Sequence, residues 1–362
     1  MTNRERENAT LNFIRPEGRG SVEETFFPWK LTYERFLKEG VPDGLMDASV
    51  DVPYPEAERY LPVSWGEGIM KYESFFGFDS VYRVSFLFPF RKIEEEYKDI
   101  LPKKVSDESD WQKLKEYSDK VIEKYFTDEI IKARYTPLKE AHARGDFSIR
   151  LNIEGFFWIP RELFGIEEHL YAFYDYPEIM HDMCKYILSV YMKYLPKILD
   201  IIPCDVVYIM EDLSGKNGPM LSGDMFDEFM GAYYKELIPM LKEHGVKNVF
   251  VDTDGDFKMI IPNFIKAGVD GFLPMDVNAG MDIVEVRKSF PKLKFIGGYN
   301  KLCIAEGKEA IDKEFERLMP VIRQGGYIPG SDHQVAPSTS LENYRYYIEK
   351  LNEAMKQCGA DL

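Results

Sequence analysis

The sequence predicts an α/β chain: a (β/α)8 TIM-type barrel carrying an N-terminal helical extension. Three observations support this. From about residue 145 onward, short β-branched or aromatic runs alternate with helical patterns, as repeated βα units require. No G-x-G-x-x-G follows an early strand, so an open dinucleotide-binding sheet has no fingerprint. The length of 362 residues suits one barrel plus extensions, so residues 1–362 are read as a single domain.

Candidate strands are Ser148 to Ile153, Asp205 to Met210, Asn248 to Asp252, Gly271 to Met275, Lys294 to Gly297 and Gly326 to Pro329, with Tyr82 to Phe88 upstream. The intervening helices show apolar stripes. Phe226, Phe229, Met230, Tyr233 and Leu237 form one, and Ile311, Phe315, Leu318, Met319 and Ile322 another, in a helix that Pro320 is expected to kink or shorten. Gly268 and Pro291 mark helix ends, and Thr339 with Glu342 is expected to form a capping box. Residues 1–80 read as an extension packed on the barrel, in which helical pieces such as Lys30 to Lys38 alternate with loops around Pro42, Pro53 and Pro62. Asp107 to Lys139 reads as a helical insertion.

Hydrophobic residues make up 45% of the chain, enough for a large core. A net charge of −16 with no Lys/Arg stripe argues against nucleic acid as a partner. No run approaches a membrane span, and the first residues lack the apolar core of a signal peptide, so a cytoplasmic location is expected. The cysteines Cys184, Cys204, Cys303 and Cys358 are scattered without metal-binding spacing, which leaves oxygen and imidazole as the donors for any metal.

In a βα barrel, polar residues at strand carboxyl ends converge on one mouth. Here those positions are acidic: Glu211-Asp212, then Asp252-Thr253-Asp254-Gly255-Asp256, then Asp276, and finally Ser331-Asp332-His333. Carboxylates sharing a mouth repel one another, which raises some pKa values or calls for a cation. Glu211, Asp252, Asp254 and His333 are therefore the candidate catalytic residues, and the same four are the candidate ligands of a divalent metal. Asp256 and Asp282 are better read as helix caps. The Asp252 to Asp256 run is a poor calcium loop, because its glycine is misplaced and no Glu closes it. His333 alone among the five histidines falls in a mouth loop, whereas His142, His169, His181 and His244 read as ordinary surface or half-buried residues on helices. Asp276, Asp332 and Glu154, together with the aromatic residues Phe157, Trp158 and Trp29, are the candidate substrate-binding set. The aromatic stretches Phe156-Phe157-Trp158 and Phe26-Phe27-Pro28-Trp29 suit a flat apolar substrate or a large cofactor face, with Trp158 and Trp29 expected to face the pocket and any single Phe better read as core.

Four segments carry a family likeness: Asn152-Ile153-Glu154-Gly155-Phe156-Phe157-Trp158, Leu221 to Phe229, Gly297-Gly298-Tyr299-Asn300, and Gly325 through Asp332-His333 to Asn343. Together they resemble the uroporphyrinogen decarboxylase superfamily over roughly residues 145 to 350, and the resemblance implies a (β/α)8 barrel. The arginine-bearing N-terminal segment that grips porphyrinogen carboxylates in true decarboxylases has no counterpart here, where Thr25-Phe26-Phe27-Pro28-Trp29-Lys30 stands. The resemblance therefore points to the corrinoid-dependent methyltransferase branch. In its thiol-activating members a His-x-Cys pair and a distant Cys bind zinc, but here Asp252-Thr253-Asp254 and Ser331-Asp332 occupy those places. Carboxylate in place of thiolate suits oxygen chemistry. The implied activity is an O-demethylase component that moves a methyl group from a methyl ether, such as a methoxylated aromatic, to cob(I)alamin on a partner corrinoid protein. A divalent metal such as zinc and a homodimer are compatible with it. A decarboxylase of a non-porphyrin acid is the alternative.

Overall fold

The computed structural model describes residues 1–45, 66–91 and 93–362. Pro53 and Pro62 lie outside them. All seven expected strands form: β1 (Val81–Phe86), β2 (Ser148–Glu154), β3 (Val206–Met210), β6 (Asn248–Asp252), β7 (Gly271–Leu273), β8 (Lys294–Tyr299) and β9 (Tyr327–Ser331). They build one curled parallel sheet in the order β1-β2-β3-β6-β7-β8-β9. A short hairpin, β4 (Ser214–Gly215) with β5 (Gly218–Pro219), follows β3.

Alternation along the strands sorts side chains onto two faces. Ile149, Leu151, Ile153, Val207, Ile209, Val249 and Val251 join the large cluster shared with the helices. On the other face Val206, Phe250, Leu273, Ile296 and Ile328 meet Leu11, which comes from the N-terminal helix Asn3–Leu11. That helix opens with a capping box of Thr2 and Glu5. Both sheet faces are thus buried, as parallel sheets require.

Seven strands leave β1 and β9 as the ends of the sheet, and residues 20–25 run between them. The Asp79 N–H, ahead of β1, donates to the Val22 carbonyl at 2.8 Å, and the Ser331 N–H in β9 donates to Glu24 at 2.9 Å. A Cβ on Gly330 would lie 2.3 Å from Thr25 Oγ1, so a glycine is needed for the segment to lie so close. Buried Arg150 on β2 pairs with Glu7 at 3.0 Å and also with Glu23. The extension is therefore part of the core.

Several local expectations shift. The helix Lys308–Gln324 runs through Pro320 without a break. The last helix, Leu341–Met355, is capped by Ser340, whose side-chain oxygen accepts the Asn343 N–H, one residue later than expected, while Thr339 is buried. The 107–139 insertion forms the helices Glu108–Tyr125 and Asp128–Tyr135, capped by Asp107 and Thr127. Among the described residues, no helix is long and apolar enough to cross a membrane.

The position of Leu11 yields a test. Leu11→Ala should lower the unfolding free energy by about 2–5 kcal/mol, read by urea denaturation. A loss under about 0.5 kcal/mol, typical of a surface position, would place the extension outside the cooperative core.

Candidate functional site

Parallel register lines up Glu154, Met210, Asp252 and Leu273 in one row at the carboxyl ends of β2, β3, β6 and β7. The acidic loops leave from this row. Two of its departures adopt left-handed backbone without glycine, Asp212 after β3 (φ 44°) and Met275 after β7 (φ 61°), a conformation that concentrates at functional sites.

The centre of the site is His333, whose Nε2 lies 3.1 Å from Asp254 Oδ1. Partial burial works against a charge on the imidazole, but the hydrogen bond and charge of Asp254 outweigh it, so the His333 pKa rises above its ordinary value. The ring of Phe26 stacks against the imidazole, with centroids 5.9 Å apart. The Asp254 N–H donates to Asp212 Oδ1 at 3.3 Å. Burial, followed by the charge of Asp254, raises the Asp212 carboxyl. Burial, with the charges of Asp212 and Asp254, pushes Asp252 well above the usual carboxylate range. The structure places Asp254 beside His333, brings Asp252 within the field of Asp254, and adds Asp212, which sequence reasoning passed over.

Asp276 and Asp332 also lie close to His333. Asp276 Oδ1 accepts the N–H groups of Asn278 and Ala279, turning the loop after β7. Asp332 is fully buried and accepts from the Val277 N–H at 3.1 Å and the Lys301 N–H at 3.2 Å, stapling the loops after β7 and β8 together. Burial raises its carboxyl against the pull of those donors. Asp276, Asp332 and His333 each offer a ligand atom within 4.8 Å of the others. Two carboxylates and an imidazole suit zinc or another divalent metal. Among the described residues the group of three or more such side chains close enough to share a metal ion is this one, in which Asp276 and Asp332 stand beside His333.

Glu211 does different work. It is fully buried, and its carboxylate accepts the N–H groups of Phe156 (3.1 Å), Phe157 (2.8 Å) and Trp158 (3.1 Å) and the hydroxyl of Tyr234. Burial pushes it up to about 7 against the pull of these donors. A Cβ on Gly155 would fall 2.1 Å from this carboxyl, so the glycine keeps the space open. Strand parity carried a readable signal: residues 207, 209 and 211 share the helix-facing side, whereas 208, 210 and 212 share the other. Glu211 anchors the start of the helix Trp158–Phe164 and is not drawn into the group around His333.

The aromatic and remaining expectations divide similarly. Phe157 is fully buried against His169 and Phe173, so it is core and not a pocket wall. Trp158 is half-buried beneath the Arg161 guanidinium, which also donates to the Asp212 carbonyl at 2.8 Å. Trp29 is 40% exposed and its N–H donates to the Val335 carbonyl. Glu154 is buried and accepts the Phe88 N–H at 2.7 Å. His142 and His169 are buried, contrary to a surface reading, the former paired with Asp205 at 2.8 Å. Asp256 and Asp282 cap local turns, accepting from Lys258 and Val284.

If Glu211 is an anchor, Glu211→Gln sets an amide N–H against backbone donors and should cost about 2–3 kcal/mol in urea denaturation. A variant as stable as the parent would contradict the anchoring role.

The pattern of the family described as Uroporphyrinogen decarboxylase (URO-D) matches residues 100–354. No curated protein matches the chain. The structure resembles a methyltransferase from Methanosarcina mazei with a TM-score of 0.63 and 14% identity, over 98% of this chain and 99% of that one, a likeness of fold. Weaker similarity reaches a B12-independent methionine synthase from a Shewanella species in complex with selenomethionine (TM-score 0.37, 14% identity, 62% of this chain and 64% of that one). It also reaches a putative vitamin-B12-independent methionine synthase from Listeria monocytogenes (TM-score 0.38, 15% identity, 94% and 96%). At those scores neither carries weight. The family pattern spans β2 to β9 and every acidic strand end that meets at His333, and on that ground the chain belongs to the uroporphyrinogen decarboxylase (URO-D) family.

Proposed function

We propose that this protein is a methyltransferase that cleaves a methyl ether, in the first instance a methoxylated aromatic, and delivers the methyl group to cob(I)alamin carried by a partner corrinoid protein. The observation that carries the reading is the His333–Asp254 pair, an imidazole whose protonated form is favoured by the carboxylate beside it at an acid-rich mouth. The M. mazei methyltransferase of similar fold supports the reaction class. We read the curled sheet, with residues 20–25 between β1 and β9, as a (β/α)8-type barrel. We take residues 1–362 to be one cytoplasmic domain, able to pair as a homodimer.

Ether cleavage breaks the methyl carbon–oxygen bond and leaves an alkoxide or phenolate that must be neutralised. A corrinoid on the partner protein would supply the cobalt nucleophile for the methyl carbon. His333, in the protonated form that Asp254 favours, donates a proton to the departing oxygen. Asp212 accepts the Asp254 N–H and so fixes the carboxylate that orients the imidazole. The half-buried face of Trp158 offers aromatic surface for a flat substrate. The compact Asp276, Asp332 and His333 group favours a second arrangement, in which those three residues would hold a divalent metal that would supply Lewis acidity toward the oxygen. The acidic mouth is unsuited to a porphyrinogen bearing many carboxylates.

The test combines purified protein, cob(I)alamin and a panel of methoxyarenes, with methylcobalamin followed by absorbance. Formation of methylcobalamin is expected. Absence of transfer across the panel, with carbon dioxide released from a carboxylic acid without corrinoid, would instead select a decarboxylase. Metal content measured on the same preparations, and its loss in Asp276→Asn, separates the metal arrangement from the proton-donor one.

A pH prediction follows from the pair. Because its folded pKa is raised, His333 adds stability that is fully present below its unfolded value and is lost as pH rises through the folded one. Asp254→Asn should therefore lower the His333 midpoint seen by NMR and move the alkaline limb of the rate profile the same way. An unchanged midpoint would refute the coupling.

A further inference from the structure

We propose that residues Glu24 to Trp29 form a strap that fixes where the His333 imidazole points, with Glu24 and Phe26 as positioning residues. The inference rests on the reading of His333 as the reacting group. The loop bearing His333 is fastened two residues before and two residues after it, and both fastenings come from the N-terminal segment. Before it, the Ser331 N–H and hydroxyl donate to Glu24 Oε1 at 2.9 and 2.7 Å. After it, the Trp29 N–H (3.3 Å) and the Thr32 hydroxyl (2.7 Å) donate to the Val335 carbonyl. Between these points Phe26 lies across the imidazole at an interplanar angle of 20°.

The strap is itself rigidly held. Glu24 is 1% exposed and receives the Tyr344 hydroxyl at 3.1 Å and the Tyr347 hydroxyl at 3.5 Å, both from the last helix. Tyr344 is in turn bonded by the Tyr72 hydroxyl at 3.0 Å. A buried carboxylate with so many donors cannot shift without leaving several of them unsatisfied. Nothing in local sequence ties Glu24 to Ser331, some 300 positions away. The contact exists because residues 20–25 lie beside β9, and its consequence is that His333 meets Asp254 with its ring already oriented.

The experiment uses full-length protein labelled with 15N-histidine, assigned by His333→Gln, at one pH where the imidazole is neutral. Glu24→Gln and Thr32→Val change the two fastenings without touching the ring. Each should narrow the separation of the two His333 ring-nitrogen resonances, as a tautomer no longer held by Asp254 would. In the methyl-transfer assay, Phe26→Leu should lower kcat about 10–100-fold with little change in KM, and Phe26→Tyr, which keeps the stacked face, should restore it. Unmoved resonances in both fastening variants would overturn the strap. So would a Phe26→Leu enzyme with parental kcat. If Glu24→Gln does not fold, Thr32→Val decides. If the parent transfers no methyl group, the functional reading fails while the resonances still decide the strap.

Discussion

A parallel sheet of seven strands has two edges whose backbone groups need partners, and most of what surrounds the site follows from how this chain supplies them. The segment 20–25 lies between β1 and β9 and brings Glu23 and Glu24 into the interior. Buried carboxylates are tolerable only when charges or donors meet them. Glu23 has Arg150 and the Ser21 hydroxyl, and Glu24 has Ser331 and two tyrosines. An extension that sequence alone presents as an appendage thereby becomes a structural member on which both the core and the His333 loop depend.

The same constraint explains why acids that look alike in sequence behave differently. Glu211 and Asp252 each follow an apolar strand run. Glu211 falls on the helix-facing side, where three backbone N–H groups and a tyrosine hydroxyl await it. Asp252 falls on the opposite side, where burial and then the charges of Asp212 and Asp254 raise it. One carboxylate stabilises a turn; the other contributes to a crowded field that favours protons and cations. That field gives His333 its raised pKa, since a nearby carboxylate lowers the energy of the imidazolium more than partial burial raises it.

Much of this was legible in the sequence, for physical reasons that also mark the limits. Strands declared themselves through β-branched runs, and the convergence of Asp252, Asp254 and His333 followed from the geometry of parallel βα units. The role of Glu211 could have been read from strand parity, and Asp212 with it. Phe157 could not, because an aromatic after a strand reads alike whether it faces a cavity or packs on His169 and Phe173. The pairing of Asp276 with Asp332 depends on backbone donors from Val277 and Lys301, and backbone donors leave no trace in residue identity. The Glu24 to Ser331 contact spans nearly the whole chain and has no local pattern at all.

The two chemical arrangements open to His333 share one requirement. As a proton donor, the imidazole needs Asp254 to keep it charged. As a metal ligand beside Asp276 and Asp332, a neutral imidazole needs its other nitrogen fixed by an acceptor, which sets the tautomer and raises ligand basicity. Asp254, 3.1 Å from Nε2, supplies that acceptor in either case, leaving Nδ1, buried and without a protein partner, as the atom free to act. The architecture is therefore committed to the orientation of one ring more firmly than to the species that ring serves. An oxygen leaving group can be met by a proton or by a cation, and in both cases the carboxylates around His333 make the positive charge affordable at the point where negative charge develops.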